Sequence, residues 1–145
     1  METEKKSVTL IIALVILSLM ASLMILGSAT SMYVGFSGGD EVMAGMTSHA
    51  LAQINPEIPN ALRGRRITAA SYAFTSGVLV LWITLTAFRK RQKWAWYALL
   101  CSVGLGSLLS TLRVPLINYR PGMEAPGITL IVLLIALVIS YRDFR

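Results

Sequence analysis

The sequence predicts an all-α fold: an up-and-down bundle of four transmembrane helices, with an amphipathic helix in the long loop between the first two. Three observations predict it. Four long apolar segments are divided by short charged punctuation, 55% of the 145 residues are apolar, and only 14% are charged. Soluble chains carry about 25% charged residues. A mean hydropathy of +0.67 agrees with that class. The single cysteine, Cys101, excludes an internal disulfide and any two-cysteine redox chemistry.

The first segment, VTLIIALVILSLMASLMIL from Val8 to Leu26, is uncharged and continues through GSATSMYVGF. It exceeds the roughly 20 residues that a bilayer crossing requires, and the span is placed at residues 8–31, ahead of an outer loop over 32–66. Lys5, Lys6 and the small residues Gly27-Ser28-Ala29 also fit a cleaved signal peptide. The apolar stretch outruns the about 7–15 residues of a signal core, so a retained anchor is the expectation.

The second span, ITAASYAFTSGVLVLWITLTAF, covers residues 67–88, and the third, beginning WAWYALLCSVGLGSLLSTL, covers residues 94–113. A fourth, APGITLIVLLIALVISY, covers residues 125–141 and is dense in the residues that insert most readily. Inside lipid a backbone must satisfy its own polar groups, and uninterrupted apolar runs of this length do so as helices rather than barrel strands. A single integral membrane domain follows.

Orientation comes from the cations. With both termini inside, that side holds Lys5, Lys6, Arg89, Lys90, Arg91, Lys93, Arg142 and Arg145, while the outside holds Arg63, Arg65, Arg66, Arg113 and Arg120 over a longer length of loop. The bias places the termini in the cytoplasm, most simply of a bacterial inner membrane. RKRQKWAWYALL is then the one tight cytoplasmic turn. Arg89, Lys90, Arg91 and Lys93 meet anionic headgroups, and Trp94, Trp96 and Tyr97 fall in the aromatic belt. Nucleic-acid binding would need those rings free to stack on bases, whereas here they open an apolar helix, so no nucleic acid is expected.

Small residues recur every fourth position as Ala69, Ala73 and Gly77 on the second span and as Ser102, Gly106 and Ser110 on the third. Such faces let helices approach closely where dispersion replaces hydrophobic drive. A packed antiparallel hairpin is the expectation; the same faces also suit a homo-oligomer. In the outer loop, Gly38-Gly39-Asp40 reads as a turn and N-cap, followed by an amphipathic helix with Val42, Met43, Met46, Ala50 and Ile54 on one side. Asn55-Pro56-Glu57 then reads as a fresh helix start, with Asn as cap and the acid near the positive end of the dipole.

LAQINPEIPNALRGRR, the basic turn FRKRQKWAWYALL and the terminal SYRDF together resemble uncharacterised small bacterial four-helix membrane proteins of the DoxX-like kind, over roughly residues 50–145. The resemblance implies a compact up-and-down bundle and transfers no catalytic residue.

Function is bounded mainly by absences. All seven acids, Glu2, Glu4, Asp40, Glu41, Glu57, Glu124 and Asp143, fall outside the apolar cores, which disfavours a carboxylate-coupled transporter. The one histidine, His49, cannot by itself supply a bis-imidazole haem or a multi-histidine metal site. No catalytic residue, metal or cofactor is assigned. Arg63, Arg65, Arg66, Arg113 and Arg120 are candidate contacts for anionic headgroups, with snorkelling to the interface as the simpler role. Cys101 is expected to be a small packing residue in its helix. Two classes remain. One is a non-enzymatic accessory or scaffold subunit that packs against another membrane protein or itself. The other is a lipid- or quinone-binding membrane protein, with enzymatic activity left open, holding its ligand inside the bundle.

Overall fold

A computed structural model describes residues 7–39, 45–117 and 124–145. Helix α1 spans Val8–Phe36, α2 Ser48–Ile54 and α3 Glu57–Ile83; α3 runs on through a π turn at Thr84–Phe88. Helix α4, Lys93–Leu99, passes through a second π turn, Leu100–Gly104, into α5, Leu105–Ile117. Helix α6, Glu124–Ser140, ends in the 3₁₀ turn Tyr141–Phe144. The fold is all-α, and four helical runs, Val8–Phe36, Glu57–Phe88, Lys93–Leu116 and Ala125–Phe144, are long and apolar enough to cross a membrane. The run from Glu57 is 32 residues. At 1.5 Å per residue it measures about 48 Å, well beyond the roughly 30 Å hydrocarbon core. Its basic first turns therefore have length to spare outside the lipid.

The chain divides into two compact units, residues 1–22 with 78–145, and residues 23–77. The first holds the larger core. Leu10, Ala13, Leu17, Met20 and Ala21 of α1 pack with Val80, Ala87 and Phe88, with Ala95, Leu99 and Val103, and with Leu133, Ala136, Leu137 and Phe144. Spacings of three and four place each set on one helix face. The faces are lined by Ala, Gly and Ser as much as by Leu, because α1 and α6 are apolar all round and close approach, not hydrophobicity, selects what turns inward.

Within this unit the helices alternate in direction. The ring of Phe88, at the end of α3, lies 4.6 Å from that of Phe144, at the end of α6. In the first turn of α1, Thr9 Oγ1 donates to Asp143 Oδ2 at 2.7 Å. One end of the unit thus gathers the start of α1, the turn between α3 and α4, and the tail of α6. A carboxylate beside the amino end of α1 also complements that helix's dipole.

In the second unit α1 closes with Gly38 in the left-handed region, at φ 76°. Gly39 N–H donates back to Val34 C=O at 3.0 Å, which is the Schellman closure that favours glycine at this position. Helix α2 is shorter than its sequence pattern suggested. Gly45 has φ 83°, Thr47 is the N-cap, and its hydroxyl accepts from Ala50 N–H. Ser48 and Leu51 turn inward, while Met46 and Ile54 are exposed. The expected Asp40 cap, Val42 and Met43 lie outside the described residues. At the start of α3, Asn55 Oδ1 accepts from Glu57 N–H at 2.9 Å, so α3 begins at Glu57 and runs without a break into the segment that starts at Ile67.

Candidate functional site

Two surfaces concentrate the sequence-predicted site residues, and both belong to the first unit. The first is the end where the termini and the α3–α4 turn meet. Gln92 N–H donates to Ala87 C=O at 3.0 Å and Arg91 N–H to Phe88 C=O at 2.9 Å, the paired bonds of a Schellman motif. The residue this places in the left-handed region is Arg91, at φ 55°. Its Cβ makes that conformation cost about 1–2 kcal/mol, which glycine would avoid. A cation thus occupies the place where Gly38 sits in the corresponding motif of α1.

Arg89, Lys90, Lys93, Arg142 and Arg145 are exposed around this turn. The rings stand beside the cations. Trp94 and Tyr97 are 55% and 60% exposed. Trp96 is half-buried: its Nε1–H donates to Leu137 C=O at 3.0 Å, and its ring meets Tyr97 at 5.2 Å and Tyr141 at 6.1 Å. The Arg145 guanidinium lies 5.6 Å over the Tyr141 ring. The turn and the tail are therefore knit by aromatic contacts and one indole bond, and they carry their charges outward together. Sequence spacing could not have found this link, because Trp96 and Leu137 lie 41 residues apart on different spans.

The second surface is the outward side of α4 and α5. Ser102, Gly106 and Ser110 are exposed, and a methyl group built on Gly106 meets nothing within 4 Å. The residues of this run that turn into the core are Ala95, Leu99, Val103, Gly104 and Ser107. Gly104 lies close enough to α6 that an added Cβ would sit 3.5 Å from Leu133. The difference from a straight-helix expectation has a physical cause. Continuing from Ala95 and Leu99 at 3.6 residues per turn brings Ser102, Gly106 and Ser110 to the core. The π turn at Leu100–Gly104 takes up one more residue, so Val103, Gly104 and Ser107 arrive there instead. Cys101, expected as a packing residue, is exposed on the same run. On α3, Ala69 is exposed, Ala73 half-buried and Gly77 buried, with Ala70 buried beside them.

The arginines outside the basic turn and tail divide in their roles. Arg63 Nη2 donates to Gly38 C=O at 3.0 Å, placing a cation against the carbonyl end of α1, where the dipole favours it. Arg66 Nε donates to Ser31 Oγ at 3.2 Å, and Arg65 is exposed. Arg113 is half-buried on α5, and Arg120 lies outside the described residues. His49 is exposed on α2. Sequence reasoning missed one group of chemical interest. Thr84, in the first π turn, is wholly buried, and its hydroxyl has no hydrogen-bond partner among the described residues.

No known protein family, curated protein or solved structure matches this chain. Its chemistry must be read from its own surfaces, which belong to a multi-pass membrane protein with four spanning helices.

Proposed function

We propose that the protein is a non-enzymatic accessory or scaffold subunit of a bacterial cytoplasmic membrane, with both termini cytoplasmic, which packs against another membrane protein or a second copy of itself through the outward face of α4 and α5. The observation that carries this reading is the exposure of Ser102, Gly106 and Ser110 while the same run uses Val103, Gly104 and Ser107 inward. Small residues on a lipid-facing surface gain little from contact with acyl chains. Their value lies in letting another helix approach closely. Exposed Leu105 and Leu109 flank them and would supply the apolar contact around such a groove. Kinship with DoxX-like proteins is part of the same proposal, supported by the Asn55-Pro56-Glu57 start and the basic-aromatic turn.

Gly106→Leu tests it, because nothing near Gly106 obstructs the larger side chain within the chain. Purified in mild detergent, the wild-type protein should carry a stoichiometric protein partner or self-associate, and the variant should lose that association while keeping its helicity and melting behaviour. A bound lipid or quinone with no protein partner, unchanged by Gly106→Leu, would sink the reading in favour of ligand binding. Orientation has a separate check: Gln92→Cys in a Cys101→Ser background should resist an impermeant thiol reagent in intact cells.

A further inference from the structure

We propose that the basic end is a composite phosphate-binding surface for anionic lipid headgroups, formed jointly by the α3–α4 turn and the tail after α6. Charge along the sequence is markedly uneven. The α3–α4 turn and the tail carry six of the thirteen cations, Arg89, Lys90, Arg91, Lys93, Arg142 and Arg145, and one of the seven acids, so these two stretches hold a net charge of +5 against +6 for the whole chain. Among the described residues there, the one acid is Asp143, and its Oδ2 already accepts from Thr9. The two cationic stretches are far apart in sequence and adjacent in space. Phe88, next to Arg89, packs against Phe144, next to Arg145, with ring centroids 4.6 Å apart. Trp96, three residues after Lys93, meets Tyr141, which precedes Arg142, at 6.1 Å.

A membrane phosphate rather than an acidic protein is favoured by what surrounds the cations. Trp94 and Tyr97 are exposed on the helix that leaves the turn, and rings with one apolar and one polar side settle at the headgroup level. The cations one turn earlier are thereby held at the depth of the lipid phosphates. Arg91 keeps a charged side chain at a backbone position that glycine would occupy without strain, so the turn forgoes some stability where a cation stands. Arginine also engages phosphate oxygens through a planar fork of donors, and cations supplied from two segments can embrace a headgroup bearing more than one phosphate. The surface therefore prefers a diphosphate lipid to a monophosphate lipid, and either to a zwitterionic one.

The test uses the full chain in nanodiscs, with lipid retention and thermal stabilisation measured for phosphatidylcholine, phosphatidylglycerol and a diphosphatidylglycerol. Preference should rise in that order and fall as ionic strength increases, and the first cation removed should cost roughly fivefold in partition. A turn variant (Arg89→Gln with Lys93→Gln) and a tail variant (Arg142→Gln with Arg145→Gln) should each remove most of the diphosphate preference, and combining them should add little. Losses that multiply independently would overturn the composite surface. Equal stabilisation by soluble pyrophosphate would overturn its assignment to lipid, and salt-sensitive binding of polyglutamate without lipid preference would assign it to an acidic protein instead. The wild-type lipid order alone keeps the proposal falsifiable should a variant fail to fold.

Discussion

Replacing Thr84 by Val should stabilise the protein, although valine offers one hydrogen-bonding group fewer. Thr84 is 0% exposed and its Oγ1 has no partner among the described residues. Several other hydroxyls on the membrane helices bond back to their own helix. Thr86 Oγ1 donates to Trp82 C=O at 2.6 Å, Thr75 Oγ1 to Ser71 C=O at 3.0 Å, and the buried Ser140 Oγ to Ala136 C=O at 2.8 Å. Thr84 lies at the first position of the π turn, where Arg89 N–H bonds to its carbonyl and its own side chain faces the core without the usual backward bond. Burying a hydroxyl unpaired costs about 1–3 kcal/mol in protein mutational data. Valine keeps the branched shape and exchanges the hydroxyl for a methyl of similar size, so the site needs little repacking. The expected gain is about 1–2 kcal/mol, or roughly 2–8 °C in melting midpoint for a chain of this length. Circular-dichroism melts in mild detergent would measure it, with Thr86→Val as a comparison expected to stay within about 0.5 kcal/mol of wild type. Thr84→Ala should be worse than Thr84→Val, since it also deletes a buried methyl worth about 1 kcal/mol. A Thr84→Val protein less stable than wild type by more than about 1 kcal/mol would refute the reasoning, because the hydroxyl would then have a stabilising partner.

Three further outcomes are expected. Phe88→Ala removes a wholly buried ring that packs at a tilt against Phe144 and should cost about 3–5 kcal/mol in the same melts, loosening the tail so that proteolysis after Tyr141 accelerates. Trp96→Phe keeps most of the packing but leaves the Leu137 carbonyl without its indole donor, with an expected loss of about 1 kcal/mol and faster amide exchange at the end of α6. Gly35→Leu should destabilise by about 1–3 kcal/mol, because even a Cβ there would stand 2.6 Å from Ile67 Cγ1; the same change at the unobstructed Gly106 should leave the melting midpoint of the isolated chain unchanged.

How much of this was legible in the sequence depends on what each feature rests on. The four spans rest on the cost of placing unpaired backbone and charge in hydrocarbon, and runs such as Val8–Leu26 carry that signal in composition alone. The Asn55 start of α3 was legible because capping is local: Asn55 Oδ1 and Glu57 N–H are two residues apart. The outer-loop helix was only half legible. Its apolar pattern ran from Val42 to Ile54, but the extended N-cap Thr47 leaves Met46 outside the helix that begins at Ser48. Arg91 in a glycine-like conformation gave no signal, since a non-glycine residue there is unfavourable and composition argues against it.

The candidate surfaces show the limit more sharply. Ser102, Gly106 and Ser110 were legible as a small-residue face, and so was their four-residue spacing; whether that face turned inward was not. That depends on the π turn at Leu100–Gly104, which brings Gly104 against Leu133 of α6. The cations of the turn and tail were each legible as anchors, yet nothing local in the chain says that Phe88 meets Phe144 or that Trp96 reaches Leu137. By itself, then, the sequence determined the class, the spans and the distribution of charge, because those follow from transfer energies that act residue by residue. Tertiary structure alone decided which face of each helix is inward and which distant cations share one surface, because helices apolar on every side are oriented only by how their side chains fit together.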